Sequence, residues 1–445
     1  MCMVFCLALL LTTGCKKDDI TNAVQPVALI IQVHYDKEQQ LLNLPLNEVT
    51  VKISNTINGQ VYTASTDEKG GAAFSSVVPG NYQLSASKVI KAQDYKDITG
   101  IPTQEDVSLN ATANITIAAS GTQDLTLAAG RIGNLVFKQI YYAGSNGSKG
   151  ASFRDQFVEI YNNSNDTIYA DSLYIGNSHA NQKTVNDGAK SFDWSQSIGM
   201  NAGGKDPNKD FVYLENLFMI PGSGKDHPIA PGESIVIAAT ALNHQRPYTN
   251  NSGKQISITD PTLTVDLSHA DFEVYLVDYL RDQSGDPSKF TPFASDLDNP
   301  DVPNLVIYAA ADKDWVLDAT GRDDFIMFKT ATPITSFPSY PDPTVTEVTV
   351  STEKFKQIPI STIIDAVEIT NPISTKRIPK RLPSSLDGEA TFVLAGQYSS
   401  QSLIRKIAKT VGDRIIFQDT NNSANDFDTK QKADPSKSAS SFTKD

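Results

Sequence analysis

Short apolar runs separated by turn-forming residues occur along most of the chain, and they constrain its fold more than any other feature. The clearest lies at residues 155–176, where large side chains crowd the run from Phe157 to Tyr161. The next residues, 162–166, are Asn, Ser and Asp, which bond to their own backbone and tolerate left-handed conformations. Apolar residues then resume. The pattern predicts a hairpin or a corner between aromatic-rich strands.

A second segment of strands and turns occupies residues 402–428. Its apolar positions surround a turn of Asp, Thr, Asn and Ser. We expect Asx turns and an ion pair between Arg405 and Asp426 to hold this turn, with Asp419, Asn421 and Asn422 as its other structural residues. We expect the two segments to belong to one β-sandwich, with the residues between them added as strands and loops.

Together, the two segments resemble the lamin-tail type of immunoglobulin-like domain of bacterial surface proteins. The resemblance rests on FVEIYN at 157–162, IAPGESIVI at 229–237, IDAVE at 364–368 and a Ser-x-x-Arg-Lys phrase at 402–406. It covers residues 134–435 and implies a fold and a surface role, but no reaction.

The N-terminus contains an apolar run, Val4 to Leu11, that is too short to span a bilayer and is followed by small residues before Cys15. Residues 1–14 resemble a lipoprotein signal peptide, which makes Cys15 the lipidated residue and 15–26 a linker. Two features depart from that pattern. Thr12 stands where Leu is more usual, and no Lys or Arg precedes the apolar run, which leaves an upstream start codon open.

The residues after the cysteine point to the cell surface. Lys17, Asp18 and Asp19 resemble the signal that sends some Bacteroidota lipoproteins to the outer face of the outer membrane. The alternative is a plain charged linker. We expect a lipid-anchored protein exposed at the outer-membrane surface.

Cysteine content and charge exclude several functions. The chain has 3 Cys, and Cys2 and Cys6 leave with the predicted signal, so neither an intramolecular disulfide nor a thiolate metal site is expected. The net charge of −13 argues against nucleic acid as a partner and against a basic membrane-binding face. Membrane attachment is expected through acyl chains alone.

Residues 27–129 predict a small β-sandwich. Asn58-Gly59 is a strong hairpin signal between two apolar runs. The Asp67-x-x-Gly70 turn and the corner beginning at Pro79 resemble the transthyretin-like, carboxypeptidase-regulatory-like module of many surface proteins. That resemblance implies a spacer next to the anchor.

Residues 130–428 predict a larger, lamin-tail-like sandwich. Insertions are expected at 177–228 and 281–324, and residues 429–445 lack apolar content and predict a disordered tail. The expected fold class is therefore all-β, with two β-sandwiches.

The two insertions carry the chain's 2 Trp, Trp194 and Trp315, with Phe192 and Phe211 nearby. Long loops on a rigid scaffold often bind ligands, so these aromatics are the candidate ligand loops. The alternative is that each Trp anchors its own loop to the core.

No catalytic residue stands out. The stretch from Gly222 to Lys225 is only half of a phosphate loop, and the 5 His residues have no metal-ligand spacing. Acid groups around Asp296 and Asp419 offer oxygen ligands for calcium, but neither has EF-hand spacing. We expect no metal and no cofactor.

These observations favour a non-enzymatic binding or capture protein at the outer-membrane surface, with a TonB-dependent transporter as a candidate partner. One alternative is an adhesion or envelope-assembly protein. Another is a hydrolase of surface polymers, which would need a catalytic carboxylate in one of the loops. The sequence does not identify the ligand.

Overall fold

A computed structural model describes residues 25–35, 37–40, 42–100, 107–129 and 134–445. The predicted signal peptide, Cys15 and the residues Lys17, Asp18 and Asp19 lie outside these ranges and stay predictions. The described chain is mostly β-strand, arranged in several sheets with few short helices, so the all-β fold class is confirmed.

The first sandwich is built from seven strands, in the order β3-β2-β5-β6-β7-β1-β4. The strands are β1 (Val27–Tyr35), β2 (Thr50–Asn55), β3 (Val61–Ser65), β4 (Gly71–Val77), β5 (Gly80–Ile90), β6 (Val107–Ile117) and β7 (Gly121–Ala129), with helices α1 (Lys37–Gln40) and α2 (Ala92–Thr99). Strands β6 and β7 pair at only two positions, Leu109 with Ala129 and Asn110 with Ala128. The sheet therefore folds into two layers around an apolar core.

Alternation in β2 explains this layering. Val51 and Ile53 are fully buried, whereas Lys52 and Ser54 point to the opposite face. The predicted Asn58-Gly59 hairpin is confirmed, since β2 pairs with β3 and Gly59 has a φ of 72°. The β2–β5–β6 layer thus presents a polar outer face.

The second sandwich comprises residues 134–445. Its strands are β8 (Leu135–Tyr141), β9 (Phe157–Asn162), β10 (Ile168–Tyr169), β11 (Tyr174–Ser178), β12 (Phe211–Met219), β13 (Pro228–Ile229), β14 (Ser234–Ala238), β15 (Tyr248–Thr249), β16 (Gln255–Ile256), β17 (Phe272–Glu273), β18 (Val306–Ala309), β19 (Asp324–Phe328), β20 (Ser339–Tyr340), β21 (Phe355–Pro359), β22 (Ile363–Glu368), β23 (Ser402–Arg405), β24 (Ile407–Val411), β25 (Arg414–Phe417) and β26 (Phe427–Lys430). The helices are α3 (Val277–Gln283) and α4 (Ser423–Asp426).

Two large sheets enclose the main core of this unit. One has the order β17-β14-β9-β8-β23-β26, and the other β20-β21-β12-β11-β19-β22 with β18 beside β12. Strands β9 and β23 both pair with β8, so the two segments that the sequence singled out do lie in one sheet. Phe137 of this sheet packs edge-on against Phe325 of the other, with ring centroids 6.4 Å apart.

Two predictions about this unit are wrong. The segment 177–228 is not simply an inserted loop, because it contains β12, a central strand that pairs with β11, β18 and β21. Residues 429–445 do not form a disordered tail either. Ser441 is fully buried, and the ring of Phe442 lies 3.7 Å from the buried Lys138 Nζ. The tail is ordered because it covers the Lys138–Glu159 ion pair.

Candidate functional site: a cleft between the two sandwiches

The predicted aromatic ligand loops are not an exposed surface. Trp194 is 7% exposed and stacks on Tyr213, with ring centroids 3.7 Å apart. Trp315 is 3% exposed and packs edge-on against Phe218 in the main core. Each Trp therefore anchors its own loop, which was the alternative interpretation.

The four predicted aromatics also do not form one group. Phe211 is buried beside Trp194, and Phe192 packs against the same cluster at half burial. Trp315 belongs to a different cluster. The prediction of a single aromatic binding surface is wrong, although Phe192, Trp194 and Phe211 still line one wall of a cavity described below.

The predicted structural turn is present and is larger than expected. The guanidinium of Arg405 lies 3.2 Å from Asp419 and 3.8 Å from Asp426, as predicted, but its shortest ion pair is with Asp365, at 2.5 Å. Asn421 has a positive φ of 51°, and the side chain of Asn422 caps α4 by accepting from the backbone N–H of Asn425.

All three carboxylates around Arg405 are almost completely buried. Burial raises the pKa of Asp365 and of Asp426, while Arg405 acts in the opposite direction. Because one guanidinium faces three acids, the cluster takes up a proton more readily than isolated carboxyls would. Its position under β8 and β22 makes it a structural centre.

The two sandwiches meet along the polar outer face of the first. Lys52 of β2 pairs with Glu389 at 2.6 Å, and the Thr112 hydroxyl of β6 lies 2.5 Å from that of Ser384. Lys52 and Thr112 are both cross-strand partners of Ser85 on β5, so this row of three residues spans the layer. We call it the bridging row, because both of its ends are joined to the second sandwich.

A second row lies two residues away from the bridging row on each of the same strands, and it faces open space. Ser54, Gln83 and Asn114 are cross-strand partners on β2, β5 and β6. They line a cavity of about 410 Å³ between the sandwiches. Among the described residues, none of their side chains has a hydrogen-bond partner. We call them the open row.

A further contact joins the two sandwiches beyond the open row. The Ser374 hydroxyl donates to the carbonyl oxygen of Ile57, in the hairpin between β2 and β3, at 3.2 Å. The bridging row and this contact therefore join the two sandwiches on either side of the open row. A space of this volume lies in the range that small-molecule ligands occupy, roughly 300–1,000 Å³.

The opposite wall belongs to the second sandwich. It supplies five charged side chains, and Lys52 of the first sandwich makes the set three basic and three acidic. They are Lys52, Arg377, Lys380, Glu368, Glu389 and Asp428. Lys380 Nζ lies 2.5 Å from Glu368, with both side chains almost completely buried. Phe392 contributes a half-buried ring below the guanidinium of Arg377.

A second cavity of about 770 Å³ adjoins the first, and Gln83, Asn114 and Lys380 line both. His179 lies in its wall, 2.8 Å from Glu215 and 2.9 Å from Asp342, stacked on Phe355. Burial alone would lower the pKa of His179, but its bonds to these two acids raise it above the ordinary value. The imidazole of His179 is thus bonded through both ring nitrogens and links the carboxylates of Glu215 and Asp342.

The described residues show no metal-binding arrangement. No group of three or more His, Cys, Asp or Glu side chains within them is placed to hold a metal ion. In the same residues, no helix is long and apolar enough to cross a membrane. The two acid groups weighed as calcium ligands form bonds within the protein: Asp296 Oδ2 accepts from the backbone N–H of Leu276, and Asp426 accepts from that of Thr420.

Sequence reasoning missed the cleft. The alternation in β2, β5 and β6 does give a polar face, and that signal was present in Lys52-Ile53-Ser54. Alternation cannot tell whether such a face meets solvent or another unit. The partners on the other side, such as Glu389 and Ser384, lie hundreds of residues away in the chain.

Comparisons with known proteins connect the second sandwich to a family. A family model with the description "Protein of unknown function (DUF4876)" matches residues 230–434. No curated protein matches the chain.

Three solved structures are similar to this chain. A DUF4876 family protein from Bacteroides thetaiotaomicron is 23% identical, with a TM-score of 0.48, and the match covers 91% of this chain and 95% of that one. A DUF3823 family protein from Parabacteroides merdae is 10% identical, with a TM-score of 0.15 and coverage of 35% and 67%. A candidate adhesin from Bacteroides ovatus is 9% identical, with a TM-score of 0.18 and coverage of 84% and 99%.

Proposed function

We propose that the protein is a non-enzymatic binding protein of the bacterial cell surface that holds a small polar ligand in the cleft between its two sandwiches. The observation that carries this proposal is the open row. Ser54, Gln83 and Asn114 offer polar groups to a cavity of about 410 Å³ without partners among the described residues. Ser54 and Gln83 are half-buried and Asn114 is exposed. Half-buried polar groups are usually hydrogen-bonded, so Ser54 and Gln83, with Asn114 beside them, indicate a place for a ligand.

The geometry of the cleft supports binding more than catalysis. The acids and bases around the cavity are joined in ion pairs, such as Lys52 with Glu389 and Lys380 with Glu368. A general acid or base needs a proton to exchange with a substrate, and these groups are committed to each other. The bridging row and the Ser374 contact hold the walls at a fixed separation, which suits a preformed binding site.

The anchor and the partner belong to the same proposal. Lipid attached to Cys15 would hold the protein on the outer membrane, with Lys17, Asp18 and Asp19 directing it to the outer face. The first sandwich would then act as a spacer, and a TonB-dependent transporter would receive the captured ligand.

One experiment tests ligand capture without assuming the ligand. The protein is purified from its native envelope, and small molecules released by denaturation are identified by mass spectrometry. Gln83→Trp places an indole ring in the cavity, and Ser75→Trp, at an exposed position of β4 in the other layer of the first sandwich, is the matched control. We expect a molecule that accompanies the wild type and the control but not Gln83→Trp. If denaturation of the wild type releases no small molecule that is missing from Gln83→Trp, the proposal fails.

The partner is tested separately. The Cys15-anchored protein is purified from detergent-solubilised outer membranes, with Cys15→Ala as the unanchored control. A β-barrel transporter in stoichiometric amount is the expected companion. Recovery of the protein alone would contradict the proposal that a transporter is its partner. Recovery with other surface proteins would favour a role in adhesion instead.

A further inference from the structure

We infer that the cavity of the open row takes a neutral, polyhydroxylated ligand, such as an oligosaccharide. This inference rests on the proposed function and names the class of ligand. It depends on three properties of the cavity: the balance of its charges, the chemistry of the open row, and apolar surface that remains exposed beside it.

The charges of the cavity are balanced and already used. Its three basic side chains face three acidic ones. Lys52 pairs with Glu389 and Lys380 with Glu368. Glu389 also acts electrostatically on Arg377, whose Nε donates to the carbonyl oxygen of Asn371.

The remaining acid, Asp428, is also paired. It lies 3.8 Å from Lys406 and 3.5 Å from Lys444. An anion or a cation entering the cavity would compete with these pairs. Of them, Lys380 with Glu368 is almost completely buried, and breaking a buried pair is costly. A neutral ligand leaves every pair intact.

The open row presents groups that both donate and accept. The amides of Gln83 and Asn114 and the hydroxyl of Ser54 carry no charge, and each offers donor and acceptor atoms. Hydroxyl groups of a ligand have the same dual character. Neighbouring strands are about 4.8 Å apart, so the three residues form a ladder about 10 Å long. A ladder of this kind matches a ligand that repeats hydroxyl groups along its length.

Apolar surface beside the row completes the match. Leu394 is 71% exposed and Val61 48% exposed, and both line the cavity together with the half-buried ring of Phe392. Sugar rings have apolar C–H faces as well as hydroxyl edges. A site that combines a few polar groups with apolar and aromatic surface is typical of small-molecule recognition.

Calorimetry with defined oligosaccharides tests the inference. The panel contains neutral oligosaccharides from plant and microbial polysaccharides and, at equal concentrations, uronic-acid and sulfated oligosaccharides. We expect a neutral member to bind, with an affinity that does not change between low and high salt. Gln83→Ala should weaken binding roughly 2- to 12-fold through the loss of neutral hydrogen bonds. Gln83→Trp should abolish binding, and Ser75→Trp should leave it unchanged.

Three outcomes would overturn the inference. They are binding of acidic members only, binding that survives Gln83→Trp in a folded protein, and no binding by any member of the panel. The envelope extraction keeps these failures apart from failure of the proposed function. Suppose that the envelope extraction recovers an anion with the wild type but not with Gln83→Trp. The proposed ligand capture is then supported, whereas the inferred neutral class of ligand is wrong.

Discussion

Replacement of Arg405 by Met should destabilise the second sandwich severely. The side chain is 1% exposed, pairs with Asp365 at 2.5 Å, and donates from Nε to the carbonyl oxygen of Phe137 at 2.8 Å. Methionine fills much of the space but leaves three buried carboxylates without a cation. Removing one partner of a buried ion pair typically costs about 3–5 kcal/mol. Because domains are stable by only about 5–15 kcal/mol, the variant should lose a large part of its stability.

The assay is urea unfolding followed by tryptophan fluorescence. Both Trp residues of the chain, Trp194 and Trp315, lie in the second sandwich, so the signal reports this unit alone. Arg281→Met is the matched control, since Arg281 also pairs with an acid at 2.6 Å, but both partners are exposed. Such surface pairs contribute about 0–1 kcal/mol.

The pH dependence of the loss gives a second criterion. Burial already raises the pKa of Asp365 and Asp426, and removal of Arg405 should raise both further. The native variant then keeps protons on Asp365 and Asp426 up to a higher pH than the wild type does, whereas the unfolded chain releases them near pH 4 in both proteins, so the destabilisation should be larger at pH 8 than at pH 5. A loss below about 1 kcal/mol, far under the range for buried pairs, would refute the reasoning. So would a loss equal at the two pH values.

Three further predictions use the same unfolding assay. Trp315→Ala should cost about 3–5 kcal/mol, because it empties a site in the main core, and a cost below 1 kcal/mol would contradict its structural role. Gly144→Ala should cost more than Gly199→Ala. Both glycines have a positive φ, but of the two only Gly144 is a site where the new Cβ would meet backbone atoms. Equal losses of unfolding free energy in the two variants would contradict this prediction. Burial raises the pKa of Asp155 and of Glu273 to about 7, so the native state keeps protons that the unfolded chain releases between pH 4 and 7. The contribution of these two protons to the free energy of unfolding falls as the pH rises through that window. The urea midpoint should therefore be higher at pH 6 than at pH 8, and a higher midpoint at pH 8 would contradict the prediction.

The sequence predicted features that depend on neighbouring residues or on alternation. The Asn58-Gly59 hairpin needs only local turn chemistry, and the ion pair between Arg405 and Asp426 joins residues of one short segment. The two segments were expected to belong to one β-sandwich, in line with a family resemblance, and the structure places β9 and β23 in one sheet of it. These features could be predicted because the sequence signals for them lie within a few residues of each other or in recognisable phrases.

Features that depend on distant contacts were missed. Asp365 lies 40 positions before Arg405, and nothing in its local sequence marks it as the principal partner. The strand β12 was assigned to an insertion because Asn, Asp, Gly and Lys surround it, although its own run FVYLENLFM is apolar. Exposure of the Trp residues was also misjudged. Position in a loop does not determine burial, since Trp194 packs onto Tyr213 of β12 and Trp315 onto Phe218 of the same strand.

The pairing of β8 with β23 has a consequence for how the chain acquires its structure. Ile140 near the start of the second sandwich is the cross-strand partner of Leu403 near its end, and the final residues then cover Lys138. Such long loops must close before the sheet gains its contacts, which slows folding. A ribosome releasing the chain from its N-terminus can therefore complete the first sandwich early, whereas the second must wait for almost the last residue.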